Sequence, residues 1–205
     1  ETRQAIADYL NNTYETNFKA DNLYMTMGAA ASLSIAFKAL TSSPDDEIIA
    51  IAPFFPEYRV FVTAAGAKFN VVAPDTKNFQ INFDEFEKLV NKNTKAVIIN
   101  SPNNPSGAVY SEQTIKKLAD FLSKKSEEYG THIFIITDEP YREIVYDGVE
   151  VPYVTKYYND TIVCYSYSKS LSLPGERIGF ILVPDEAYES KKLYAAVCGA
   201  GRALG

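Results

Sequence analysis

The chain has 205 residues, enough for one substantial core or for one domain with an appendage. With 46% apolar and 22% charged residues it has the balance of an ordinary globular protein, and a net charge of −6 disfavours a polyanion or an anionic membrane as partner. No apolar run approaches the ~20 residues of a membrane span and nothing at the start reads as a signal peptide. Two cysteines, Cys164 and Cys198, and one histidine, His132, are too few for a disulfide framework or a multi-histidine metal centre. The expectation is a reduced, cytoplasmic setting, with no metal, nucleic acid or membrane involved.

In chain order, Ile6, Tyr9 and Leu10 have helical spacing. NLYMTMG (residues 22–28) reads as a short strand meeting a glycine, and residues 29–40 as a helix with Leu33, Phe37 and Leu40 on one face. EIIAIAP (47–53) is an apolar run closed by proline; a helix is expected around 58–65 and a strand over 67–73. Asn82 followed by Glu85 predicts a capping box. KAVIIN (95–100) is a strand that runs into turn-rich residues through Gly107. Ile115, Leu118, Ala119 and Leu122 mark the next helix. Residues 133–137, 161–168 and 178–184 are the remaining strands. Strands apolar on both faces and separated by helices predict a mostly parallel sheet covered on each side.

In open parallel sheets, ligands sit beyond the carboxyl ends of the strands. Gly28, Phe55, Asn104, Asp138 and Lys169 fall at five such ends. Each admits two readings. Lys169, in SYSKSLSLPGERIG, is a solvated lysine or an amine that meets an aldehyde. Arg177 is a salt-bridge arginine or a phosphate fork, with Ser166 and Ser168 as hydroxyl donors. Ala29 and Ala30 form a tight turn or the first turn of a helix that receives an anion. Asp138, in TDEPY, caps a helix or partners a protonated heterocycle nitrogen. Asn104 belongs to a turn or donates its amide to a ligand, and Phe55 is core or stacks on a flat ring. Neither G-x-G-x-x-G nor G-x-x-x-x-G-K-[ST] spacing is present, which disfavours a dinucleotide or a nucleoside triphosphate.

Together SPNNPSGAVY, TDEPY and SYSKSLSLPGERIGF resemble, in order and separation, the fold-type I pyridoxal 5'-phosphate-dependent aminotransferases of classes I and II. The resemblance implies their large domain over residues 1–205: a three-layer α/β/α sandwich around a mostly parallel sheet of about seven strands. An N-terminal arm, with its cross-dimer tyrosine, and a C-terminal small domain, with its substrate-carboxylate arginine, are expected to lie outside the chain. Lys169 resembles the lysine that forms the imine with the cofactor and shuttles the substrate α-proton. Asp138 resembles the carboxylate on the pyridine nitrogen, Asn104 and Tyr141 the donors to the ring oxygen, and Phe55 the stacking aromatic. Ala29, Ala30, Ser166, Ser168 and Arg177 match the phosphate cup, and a cis bond is implied before Pro105. The implied activity is transfer of an amino group between an amino acid and a 2-oxo acid by a homodimer. A carbon–sulfur lyase on the same scaffold and a ligand-sensing domain of a transcriptional regulator are the alternatives. Many aspartate-specific relatives carry tryptophan at the position of Phe55, which leaves the substrate pair open.

Overall fold

Alternate residues of the apolar runs face opposite ways, so a strand buried on both sides needs cover on both sides. A computed structural model describing residues 1–204 shows how this chain supplies it. The strands are β1 (Leu23–Thr26), β2 (Glu47–Ile51), β3 (Lys68–Val72), β4 (Thr94–Asn100), β5 (Phe134–Asp138), β6 (Thr161–Ser166) and β7 (Gly179–Leu182). They form one sheet in the order β1-β7-β6-β5-β4-β2-β3, and only β7 runs against the others.

Three helices cover one face: α2 (Ala29–Leu40), α3 (Glu57–Ala65) and α7 (Ser190–Leu204). Their Leu33, Phe37, Val62 and Val197 pack on Ile48, Ile98, Ile136 and Ile181 of the sheet. On the other face, α4 (Phe83–Leu89) and α5 (Glu112–Tyr129) meet Ile49, Val97, Ile99 and Ile135. Also on that face, α1 (Thr2–Tyr14) lays Ile6 and Leu10 against Val163, Phe180 and Leu182. This is the α/β/α sandwich expected. Each buried aliphatic side chain adds about 1.5–3 kcal/mol to the driving force.

Local chemistry fixes the ends. Ser111 Oγ accepts from Thr114 N at 3.1 Å to start α5, and Gly130, with φ 62°, ends it. Asn82 caps α4 by accepting from Glu85 N at 3.3 Å, but the other half of the predicted box is taken elsewhere: Glu85 pairs with Lys88 at 2.6 Å. Tyr9, grouped with Ile6 and Leu10 by spacing, is exposed, because the buried stripe of α1 runs through Ile6, Ala7 and Leu10. The strand expected over 161–168 stops at Ser166, whose Oγ accepts from Ser168 N at 3.2 Å and turns the chain into the single-turn α6 (Tyr167–Ser170). No helix among the described residues is long and apolar enough to cross a membrane.

Candidate active site at the carboxyl ends of the strands

β4, β5 and β6 are parallel neighbours, and their carboxyl ends bring Asn100, Asp138 and Ser166 to one rim of the sheet. A cavity of about 310 Å³ opens there. Ala29, Ala30, Phe55, Asn104, Asp138, Tyr141, Ser166, Ser168, Lys169 and Arg177 all line it. The ten candidate residues from Ala29 to Arg177 thus reach one hollow, and of the five strand-end residues only Gly28 does not line it.

Strand alternation sorts the acidic end. Phe134 and Ile136 face α2 and α3, so Asp138 faces them too; Thr137 and Glu139 point to the other side. Asp138 is 5% exposed, and no helix follows it, so the capping reading is not the one realised. Its Oδ2 accepts a 2.5 Å hydrogen bond from the Tyr58 hydroxyl, while Oδ1 is buried with no donor. Burial pushes its pKa up to about 7, and the Tyr58 hydrogen bond acts in the opposite direction. Burial and the Asp138 charge together hold the Tyr58 hydroxyl well above the ordinary phenol range, so it stays a donor.

Asn100 ties two of these strand ends together. Its Nδ2 donates to Asp138 O at 2.8 Å and its Oδ1 accepts from Asn104 N at 2.7 Å. The turn carrying Asn104 is closed by Asn103, which accepts from Ser106 N at 3.0 Å. The bond before Pro105 is cis, as expected, as are those before Pro53 and Pro102. Tyr141 sits half-buried beside Asn104; burial first, then the Asp138 charge, raise its pKa, and a hydrogen bond with the Asn104 amide lowers it. The Lys169 ammonium lies 6.0 Å from the centre of the Tyr141 ring, on an exposed side chain.

At the other end of the cavity the chain builds a cationic cup. Gly28, with φ 90° and ψ 176°, directs the backbone from β1 into the first turn of α2. Arg177 lies across it, its Nη2 donating to Met27 O at 3.2 Å and its Nη1 to Pro174 O at 3.0 Å and Ser168 Oγ at 3.4 Å. Ser166 Oγ donates to Ser168 Oγ at 2.8 Å. Gly28 and Gly179 touch backbone to backbone, since a Cβ on Gly179 would stand 2.8 Å from Gly28 Cα. Hydroxyls, a guanidinium and the amino end of a 12-residue helix converge on one spot, which suits a phosphate dianion.

Sequence reasoning missed Tyr58 and Asn100, both read as parts of regular elements. It also missed Glu139 and Arg142, a buried ion pair beneath the TDEPY turn. Thr137 Oγ1 donates to Glu139 at 2.8 Å, and the Arg142 guanidinium lies 5.1, 4.8 and 5.3 Å from the ring centres of Tyr14, Tyr153 and Tyr165. A signal was available, because a charged pair directly after a buried strand must be matched or exposed. A larger, more open hollow of about 650 Å³ lies near the amino ends of β5 and β6, around His132 and Asp160. It gathers none of the residues above.

Residues 1–199 match the family described as aminotransferase class I and II. Among curated proteins, the chain is 33% identical over 187 residues to a probable N-acetyl-LL-diaminopimelate aminotransferase of Bacillus subtilis, covering 91% of this chain and 46% of that one. It is 32% identical over 202 residues to an aspartate aminotransferase of Pyrococcus horikoshii, covering 97% and 50%. Among solved structures, an amino transferase from Eubacterium rectale is 72% identical with a TM-score of 0.99, over 100% of this chain and 51% of that one. An aspartate aminotransferase from Thermotoga maritima is 31% identical with a TM-score of 0.87, over 99% and 52%. The chain spans about half the length of the curated relatives it matches.

Proposed function

The chain belongs to the class I and II aminotransferases, and from that premise we propose that it forms the pyridoxal 5'-phosphate-binding part of an enzyme that moves an amino group between an amino acid and a 2-oxo acid. The observation that carries the proposal is the pairing of two features in one cavity: a buried carboxylate oxygen without a donor, and a cup of hydroxyls, a guanidinium and a helix amino end. Pyridoxal phosphate fits both, with a ring nitrogen that can carry a proton and a phosphate dianion. Bound there, it would offer an aldehyde to an amine and a protonated ring that draws electrons from the adjacent carbon.

The residues would divide the work as follows. Arg177, the hydroxyls of Ser166 and Ser168, and the first N–H groups of α2 at Ala29 and Ala30 bind the phosphate. Asp138 Oδ1 accepts the ring N–H and keeps that nitrogen charged. Asn104 and Tyr141 would donate to the ring oxygen, and Phe55 would offer its face to the ring. Lys169 Nζ would be the amine offered to the aldehyde and, as a free amine, the base that accepts a proton from the substrate α-carbon.

The relatives named above are aminotransferases, which favours transamination over the eliminating and sensing alternatives. We extend the proposal to a cytoplasmic homodimer. The exposed apolar side chains of Met27, Leu171, Leu173 and Ile178, close in sequence to the cup residues, would suit a second subunit. The test is an absorption spectrum of the full-length protein with pyridoxal phosphate, borohydride reduction, and mapping of the labelled peptide. A visible band trapped on Lys169, with turnover abolished in Lys169→Ala, is expected. A label elsewhere, or substantial transamination by Lys169→Ala, would refute the assignment.

A further inference from the structure

Among the described residues, Tyr58 is the one hydrogen-bond donor to the Asp138 carboxylate. It is 1% exposed, and its own ring is held on two sides, by Phe54 at 6.4 Å and 15° and by Phe55 at 5.7 Å and 75°. We propose that Tyr58 is a positioning residue for the cofactor site: by donating to Oδ2 it fixes the carboxylate plane and leaves Oδ1 as the single acceptor for the ring N–H. The inference rests on the pyridoxal phosphate reading above and names a further residue for it.

A carboxylate on a strand end can rotate about its last bond and offer either oxygen. One short hydrogen bond from a rigid phenol removes that freedom before any ligand arrives, which is preorganisation. The same turn also carries the stacking ring. Tyr58 N donates to Phe55 O at 3.0 Å, so Phe55 and Tyr58 move together. One segment thereby sets both the face of the cofactor ring and the carboxylate at its edge.

The hydrogen bond also bears on the charge, acting against the larger effect of burial. The titratable groups around Asp138 are Tyr58 from α3, Tyr141 from the turn after β5 and Cys164 from β6. Burial drives all three toward their neutral forms. Lys169 and Arg177 line the same cavity without an ion pair to Asp138 among the described residues. Donation from Tyr58 is therefore the protein's main means of favouring the ionised carboxylate, and its loss moves the proton onto Asp138 at higher pH.

The experiment measures pyridoxal phosphate affinity by equilibrium dialysis, from about pH 6 to about pH 9, for the full-length protein as wild type, Tyr58→Phe, Asp138→Asn and the double variant. Tyr58→Phe is expected to bind about tenfold more weakly and to lose affinity on the acid side at a higher pH than wild type. In the Asp138→Asn background the same change is expected to matter by less than about twofold. Equal weakening in both backgrounds, or an unmoved acid limb, would show that Tyr58 only fills space and would overturn the proposal. Failure of the wild type to bind would instead overturn the cofactor reading, and the inference with it. Should Tyr58→Phe not fold, a ring-fluorinated tyrosine at position 58 keeps the shape and makes the phenol a stronger donor. It must move the acid limb to lower pH, and no movement would count against the proposal.

Discussion

Gly28→Ala perturbs the cup without removing any of its functional groups. At φ 90° and ψ 176°, Gly28 occupies a region essentially closed to side chains, where an alanine is strained by about 1–3 kcal/mol. The added Cβ would stand 2.8 Å from Arg177 Nη2, 3.3 Å from its Cζ and 3.5 Å from Ser166 Oγ. The guanidinium ends a flexible, exposed side chain, so it moves away and the backbone stays. The stability loss is then mostly the backbone strain. At about 2–4 °C per kcal/mol for a domain of this size, the midpoint falls by about 2–12 °C. The larger effect falls on the ligand. A displaced Arg177 forfeits charge-assisted bonds worth about 1.5–3 kcal/mol, or about ten- to a hundredfold in phosphate affinity. Thermal melts and dialysis with pyridoxal phosphate on the full-length protein read the two effects separately. Because the alanine acts through Arg177, adding it to Arg177→Ala should weaken binding little further. An unchanged affinity in Gly28→Ala, or a full additional loss in the double variant, would refute this account of the cup.

Two further outcomes are expected. The folded-state pKa of Asp138, about 7, lies above the ~3.9 of an unfolded aspartate, so its contribution to stability is fully present below about pH 4 and lost as pH rises through about 7. Asp138→Asn in the ligand-free protein removes that dependence and gains on the order of 4 kcal/mol relative to wild type between those limits; parallel urea-melt profiles against pH would contradict the assignment. Glu139→Gln leaves the Arg142 charge buried and unpaired and is expected to cost about 3–5 kcal/mol, while Glu139→Leu with Arg142→Met recovers most of it. A single-variant loss under about 1 kcal/mol would show the pair to be solvated.

The fold was legible because its signals are local. Runs such as EIIAIAP and KAVIIN are apolar on both faces, and Ile115, Leu118, Ala119 and Leu122 repeat at helical spacing, so element type follows from the period alone. The gathering of the ten candidate residues in one cavity was legible for a different reason. They stand at strand ends, where topology brings separate motifs together, and the three linked segments carry a family's spacing. Pairings between distant elements were not legible. Tyr58 reaches Asp138 across 80 positions, and nothing near Tyr58 marks its hydroxyl as different from a core tyrosine's. The stop of β6 at Ser166 was missed because YSYS alternates like a strand; only the Ser166 hydroxyl turning onto Ser168 N ends it.

Period-two alternation, the simplest rule in the sheet, also sorts the charges of TDEPYR. Asp138 continues the face of Ile136 toward α3, where a phenol waits and one oxygen stays free. Glu139 continues the face of Thr137, where Arg142 neutralises it among three tyrosines. Two adjacent carboxylates thus meet opposite fates: one is completed by the protein, the other is left incomplete. An incomplete buried carboxylate destabilises the empty site, and a ligand that brings the missing proton relieves that cost on binding, so the strain of the free chain reappears as affinity. On this view Glu139→Gln should weaken the fold and Asp138→Asn should strengthen it while weakening the site. Opposite signs from neighbouring positions on one strand end are hard to obtain unless Asp138 is held in readiness for a cationic partner.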